Sequence, residues 1–283
     1  MSKMFIKNIM LFTSLFSILF FGCSDKNKDK NKKINVTVSI TTYADFVKNI
    51  GGDKVEVNLM IPPNAEPHDF EPTPSQITNL SKSDIYFKIG SGFGFEDNLM
   101  QRIKGSLSKL KVINTSEGIK IYNNDPHVWL GINETRVILN NIYKGLASFS
   151  PEDSSYFSSN LHKYLNLLLA EEMKIKESFS KNKNNYVLVY HPAWHYFFSQ
   201  FGITQLGIER EGKEPNAKDL TEVLKTAKEH KVKVVFIEPQ FNKESALAVA
   251  KQLNATIDVI NNIPSNYLKN LDVVRRKVSK SLQ

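Results

Sequence analysis

Cysteine is nearly missing from this chain: among 283 residues there is one, Cys23. A single thiol excludes an internal disulfide and a cysteine-based zinc cluster. Also missing are a His-Glu-x-x-His motif, a Gly-x-Ser-x-Gly turn, and any ligand pair at helical spacing with a carboxylate placed as base, so the usual signatures of zinc and serine hydrolases are gone. No internal repeat of about 20 to 50 residues is visible, which argues against a solenoid. Beyond Ser24 no apolar run approaches the roughly 20 residues a bilayer-spanning helix requires. Nor is there a large charge excess. The formal charge is +8, of which Lys3 and Lys7 supply two and the stretch from Ser24 to Lys33 supplies three, from five lysines against two aspartates. The remaining +3 on the folded part is too small to argue for nucleic acid.

What is present begins with a targeting segment. Lys3 and Lys7 precede an apolar-to-small core from Ile9 to Phe21, and Gly22-Cys23-Ser24 follows. That core is too short to span a membrane and fits a secretory signal over residues 1–22. A lone cysteine placed directly after it is expected to be the lipidated residue, as in a bacterial lipoprotein box, although Phe20 and Phe21 replace its usual residues. The competing reading is an ordinary signal peptide with an incidental cysteine. Residues 23–33 then form the anchor and a tether without apolar residues. The chain is expected to be exported and membrane-anchored, facing the periplasm or the cell exterior.

From Ile34 onward strand and helix patterns alternate, the signature of parallel α/β layers. Strands are expected at Val36–Ile40, Val55–Met60, Ile85–Ile89 and Lys111–Asn114. The helices between them include Ser75–Lys82, capped by Thr73 with Pro74 at its first position. A helix from Glu134 to about Leu146 closes this N-terminal lobe, residues 34–149. Ser150-Pro151-Glu152-Asp153 starts a longer helix, with apolar positions at Phe157, Leu161, Tyr164, Leu165, Leu168, Ile175 and Phe179. Thirty residues of helix would reach about 45 Å, so residues 150–181 read as a strut between two lobes. The alternation then resumes through residues 182–283, with strands at Tyr186–Tyr190, Thr204–Ile208, Val232–Ile237 and Ala255–Ile260. The expected fold is therefore two similar α/β lobes with parallel sheets, joined by one long rigid helix, with the binding site in the cleft between them.

Three of the six histidines stand beside prolines, in turns that hold a side chain at low entropic cost. They are His68 in Glu66-Pro67-His68-Asp69, His127 in Asp125-Pro126-His127-Val128, and His191 in Tyr190-His191-Pro192. His68 and His191 each follow a strand, at the carboxyl edge where open α/β sheets bind ligands. The loop carrying His127 can reach the same cleft. Taken singly, a satisfied core or surface histidine is a commoner finding than a metal ligand; position makes the three a candidate site. His195 falls one helical turn past His191, as a neighbour of the site, while His162 and His230 are assigned to solvent.

In this order the motifs Pro67-His68-Asp69-Phe70-Glu71-Pro72-Thr73-Pro74, Asp125-Pro126-His127-Val128-Trp129-Leu130, Tyr190-His191-Pro192-Ala193-Trp194, Glu211-Gly212-Lys213-Glu214-Pro215 and Phe236-Ile237-Glu238-Pro239-Gln240-Phe241 resemble the zinc and manganese solute-binding proteins of ATP-binding cassette importers. The resemblance covers essentially the whole chain after the tether. It implies two lobes on a rigid helix, His68, His127 and His191 as metal ligands, and a membrane permease as partner. A third histidine instead of glutamate implies Zn²⁺, with Mn²⁺ as the alternative, because imidazole suits a borderline metal. Two departures stand out. The segment before His127, Asn114 to Asp125, is short and holds no histidine, where many zinc members carry a long histidine-rich loop. Asn261 stands where the family usually supplies an aspartate as fourth ligand, so Asn261, Glu238 and a water are alternatives for that position. The expected protein is a monomer and not an enzyme. A surface adhesin is the competing class.

Overall fold

The computed structural model describes residues 32–283 apart from 64, 68–69, 104–108, 210–215 and 242. The signal segment and Cys23 lie outside the described residues.

The most apolar runs become central strands, since a strand covered by helices on both faces excludes water from both. The first sheet consists of β1 (Ile34–Val38), β2 (Val55–Leu59), β3 (Ile85–Lys88) and β4 (Lys111–Asn114), in the order β2-β1-β3-β4. All its pairings are parallel, with Val36 opposite both Val57 and Ile85. The second sheet repeats this topology as β6-β5-β7-β8, from β5 (Tyr186–Val189), β6 (Thr204–Gly207), β7 (Val234–Ile237) and β8 (Thr256–Val259). In each sheet the chain turns one way after the first strand and the other way after the third. The crevice at the carboxyl ends of β5 and β7 is therefore a switch point, open to a ligand.

Helices α1 (Thr41–Gly51), α2 (Pro74–Ser81) and α3 (Gly94–Ile103) connect the strands of the first sheet. Thr73 caps α2 through a full capping box with Gln76, and Pro74 takes the position where no amide hydrogen is needed. After α4 (Ile132–Phe149) comes the strut, α5 (Ser154–Phe179), whose 26 residues extend about 39 Å. A continuous helix from Ser150 was expected. Instead Pro151–Asp153 form a tighter 3-10 turn, in which the Ser150 hydroxyl donates to the Asp153 carboxylate at 2.8 Å.

The second lobe adds α6 (His195–Gln200), α7 (Ala217–Glu229), α8 (Lys243–Leu253) and α9 (Tyr267–Ser281). Because side chains alternate across a strand, β5 and β7 serve two apolar cores. Val187, Val189 and Phe236 point into a core continuous with α1, α4, α5, α9 and the first sheet, whereas Leu188, Val235 and Ile237 meet a smaller cluster with Leu224, Ala246 and Val249. The lobes therefore share one main core. The segment after β8 is stitched to the first lobe: the Trp129 indole donates to Asn262 O at 2.7 Å, the Thr41 hydroxyl to Ile263 O at 2.8 Å, and the Tyr267 amide to Asp45 Oδ2 at 3.0 Å.

Candidate metal centre

His191 sits two residues beyond β5, and His127 ends the loop that follows β4, just before a 3-10 turn over Val128–Leu130. From opposite lobes their Nε2 atoms come to 3.1 Å of each other, with the rings nearly perpendicular at 82°. Both side chains are buried, His127 at 6% and His191 at 4% exposure. Each Nδ1 faces a carboxylate: Asp125 Oδ1 lies 2.6 Å from that of His127, and Glu209 Oε2 lies 3.3 Å from that of His191. Asp125 Oδ1 also accepts the His127 amide at 3.0 Å, which fixes ring and backbone together. A carboxylate at Nδ1 keeps the ring proton there, so the two Nε2 lone pairs face one another. Two facing lone pairs repel unless a proton or a cation lies between them.

Burial holds the His127 imidazole below its ordinary value, against the pull of Asp125. Burial also opposes charge on His191, but Glu209, Glu238 and Glu66 outweigh it and raise its value. Glu66 lines the small pocket with His127, His191, Trp129, Gln240 and Asn262. The free space is about 10 Å³, enough for one particle of water size. An organic ligand does not fit there. Phe241 stacks on the His191 ring at 5.1 Å, and Trp129 meets the His127 ring edge-on at 5.2 Å, so the walls are apolar around a polar centre.

His68 lies outside the described residues; its neighbour Glu66 reaches the pocket. Glu238, immediately after β7, is fully buried, and its Oε1 accepts the Trp194 indole N–H at 3.1 Å. Amides of Glu238 and His191 lie near this carboxyl, yet Oε2 has no hydrogen bond among the described residues. Burial pushes the carboxyl up to about 7, against the attraction of His191 and the bond from Trp194. Asn261 does not line this pocket: its Oδ1 accepts the Ile263 amide at 2.9 Å, and it borders an adjacent cleft with Ile40, Pro63 and Ser265. The next residue, Asn262, lines the histidine pocket instead and accepts from Gln240 at 2.7 Å. His195 stacks on Tyr122 at 4.0 Å. His162 is exposed, as expected, but His230 is half-buried with its ring on Tyr186 at 3.6 Å.

Sequence reasoning missed Asp125, Glu209 and Asn262. Asp125 could have been found as the residue that starts the His127 turn, and Glu209 by the strand-edge argument applied to β6.

A family model described as "Zinc-uptake complex component A periplasmic" matches residues 36–279. The chain belongs to this family. Among similar members, the high-affinity zinc uptake protein ZnuA of Bacillus subtilis is 26% identical, over 77% of this chain and 75% of that one. The manganese transporter substrate-binding lipoprotein PsaA of Streptococcus pneumoniae is 25% identical, over 88% of this chain and 86% of that one. A zinc-bound deletion mutant of ZnuA is 30% identical and superposes with a TM-score of 0.84, over 89% of this chain and 99% of that one. Two α/β lobes on a long helix are thus the fold of this member as well. These relatives are named as substrate-binding transport proteins, not enzymes.

Proposed function

We propose that this chain holds one divalent transition-metal ion, Zn²⁺ in preference to Mn²⁺, between His68, His127 and His191, and delivers it to the permease of an ATP-binding cassette importer. The observation that carries this reading is the pair of Nε2 atoms 3.1 Å apart with a carboxylate behind each ring. Two nitrogens on one tetrahedral zinc ion, each roughly 2.0–2.1 Å from it, would stand about 3.3 Å apart. A pocket of single-ion size and the family membership agree with it. Both Nδ1 positions stay protonated on their carboxylates, which orients the rings and makes Nε2 a better donor.

The charge of the ion is balanced by Glu66 from the first lobe and by Glu209 and Glu238 from the second, all of which already act on His191. Of the two fourth-ligand candidates, Glu238 keeps a buried oxygen without a hydrogen bond among the described residues, while the Asn261 oxygen is engaged by Ile263. The metal is cargo, and no bond is made or broken. Residues 34–149 and 182–283 supply the two walls, residues 150–181 keep them at a fixed separation, and lipidated Cys23 keeps the exported monomer beside its permease. Elemental analysis of the purified chain, with a chelator-buffered competition between Zn²⁺ and Mn²⁺, tests the reading. One equivalent of bound metal with zinc preferred is expected, and absence of stoichiometric metal would refute it.

A further inference from the structure

We propose that Tyr196 is a positioning residue for the metal centre: from the second lobe it fixes the turn that presents His127. The inference rests on the metal-binding reading above and adds a residue that sets the spacing of the two imidazoles.

The short loop before His127 contains the turn Tyr122-Asn123-Asn124-Asp125, closed by the Asp125 amide donating to Tyr122 O at 2.8 Å. Asn123 and Asn124 have φ of 46° and 58°, both left-handed, the pattern of a type I′ turn that asparagine tolerates better than most residues. Two successive left-handed residues are not a default conformation for L-amino acids. One phenol holds both ends of this turn. The Tyr196 hydroxyl accepts the Tyr122 amide at 2.9 Å and donates to Asp125 O at 2.9 Å, which uses its single hydrogen and one lone pair. Beside it, His195 lies flat against the Tyr122 ring, 14° from parallel.

The consequence runs directly to the site. Asp125 is the residue whose carboxylate binds both the ring and the amide of His127. Tyr196 fixes the backbone of Asp125, Asp125 fixes His127, and five residues before Tyr196 the same segment supplies His191. The stretch from His191 to Tyr196 therefore carries one imidazole and the clamp on the other. The lobes touch closely here: a Cβ added to Gly131 would stand 2.7 Å from the Cβ of Tyr196.

The test is a double-mutant cycle on the full chain, reading Zn²⁺ affinity by chelator competition and the melting temperature of metal-free protein. Asp125→Asn should weaken binding by about 10- to 100-fold, as losing a partner behind a metal-binding histidine does. Tyr196→Phe keeps the ring and should weaken binding about tenfold, while the double variant should bind like Asp125→Asn alone, since both act through one chain of contacts. Should Tyr196→Phe fail to fold, Asn124→Ala strains the same left-handed turn that the phenol holds and must itself weaken binding; unchanged affinity there overturns the proposal. So do an affinity for Tyr196→Phe within twofold of wild type, losses that multiply in the double variant, and losses that merely follow the melting temperature of the metal-free protein. A wild-type chain that binds neither Zn²⁺ nor Mn²⁺ would overturn the metal-binding reading itself, which separates the two failures.

Discussion

Replacing Glu238 by Gln should make the metal-free protein more stable and the metal complex weaker. Glu238 is fully buried, one oxygen bonded to the Trp194 indole and the other without a hydrogen bond among the described residues, and burial raises its carboxyl from 4.5 to about 7. A carboxyl whose folded value is raised binds an extra proton in the native state between those two pH values. Its contribution to stability is full below 4.5 and is lost as pH rises through about 7. At about 1.36 kcal/mol per pH decade, that loss approaches 3.4 kcal/mol at pH 8. That value already contains the attraction of His191, and relaxation of the site around the anion leaves less than the full figure. A glutamine of the same shape keeps the oxygen for Trp194 and carries no charge to desolvate. The expected gain for metal-free Glu238→Gln at pH 8 is about 1 to 2 kcal/mol, a rise of about 2 to 8 °C in melting temperature. The difference between variant and wild type should vanish near pH 4. With Zn²⁺ the order reverses, because the variant lacks a negative charge beside the ion. Urea or thermal unfolding at pH 4, 6 and 8, with and without metal, measures both effects. A wild-type protein whose stability does not fall relative to the variant between pH 4.5 and 7 would refute the burial argument, and undiminished Zn²⁺ affinity would refute the electrostatic one.

Three further outcomes are expected. His68→Ala, His127→Ala and His191→Ala should each lower metal affinity by orders of magnitude, whereas His162→Ala and Asn261→Ala should change it little, by chelator-buffered titration; equal affinities across the set would remove the site. Free Zn²⁺ at about 100 times its dissociation constant should stabilise the fold by about 2.7 kcal/mol, because only the folded chain brings the histidines together, and a melting temperature indifferent to Zn²⁺ would show that they do not converge. Cys23→Ala should release the chain from membranes on cell fractionation, and retention as firm as wild type would disprove the anchor.

Much of the architecture could be read from local pattern. Uninterrupted β-branched and apolar runs such as Tyr186–Tyr190 have one good solution, a strand buried on both faces. Thr73-Pro74 with Gln76 carries its helix start in three residues, and the apolar spacing from Phe157 to Phe179 carries the strut. The proline-flanked histidines were visible for the same reason, since a turn's chemistry is local. His191 could be placed at a strand edge from the sequence alone.

Direction beyond a strand end could not. Asn261 and Asn262 are neighbours of one chemical type, and the turn in which Asn261 takes the Ile263 amide sends one toward an outer cleft and the other toward the histidines. No periodicity predicts which, because the choice depends on the backbone bonds that close the turn. Glu209 acquires its role only when the end of β6 is brought against the His191 ring beyond β5. The same holds for the Tyr196 hydroxyl, which meets Tyr122 and Asp125 across more than seventy positions of sequence. Local sequence sets element type through steric preference and side-chain period, each decided within a few residues. Which polar atoms face one another is decided by the packing of two lobes, and that depends on the whole chain at once.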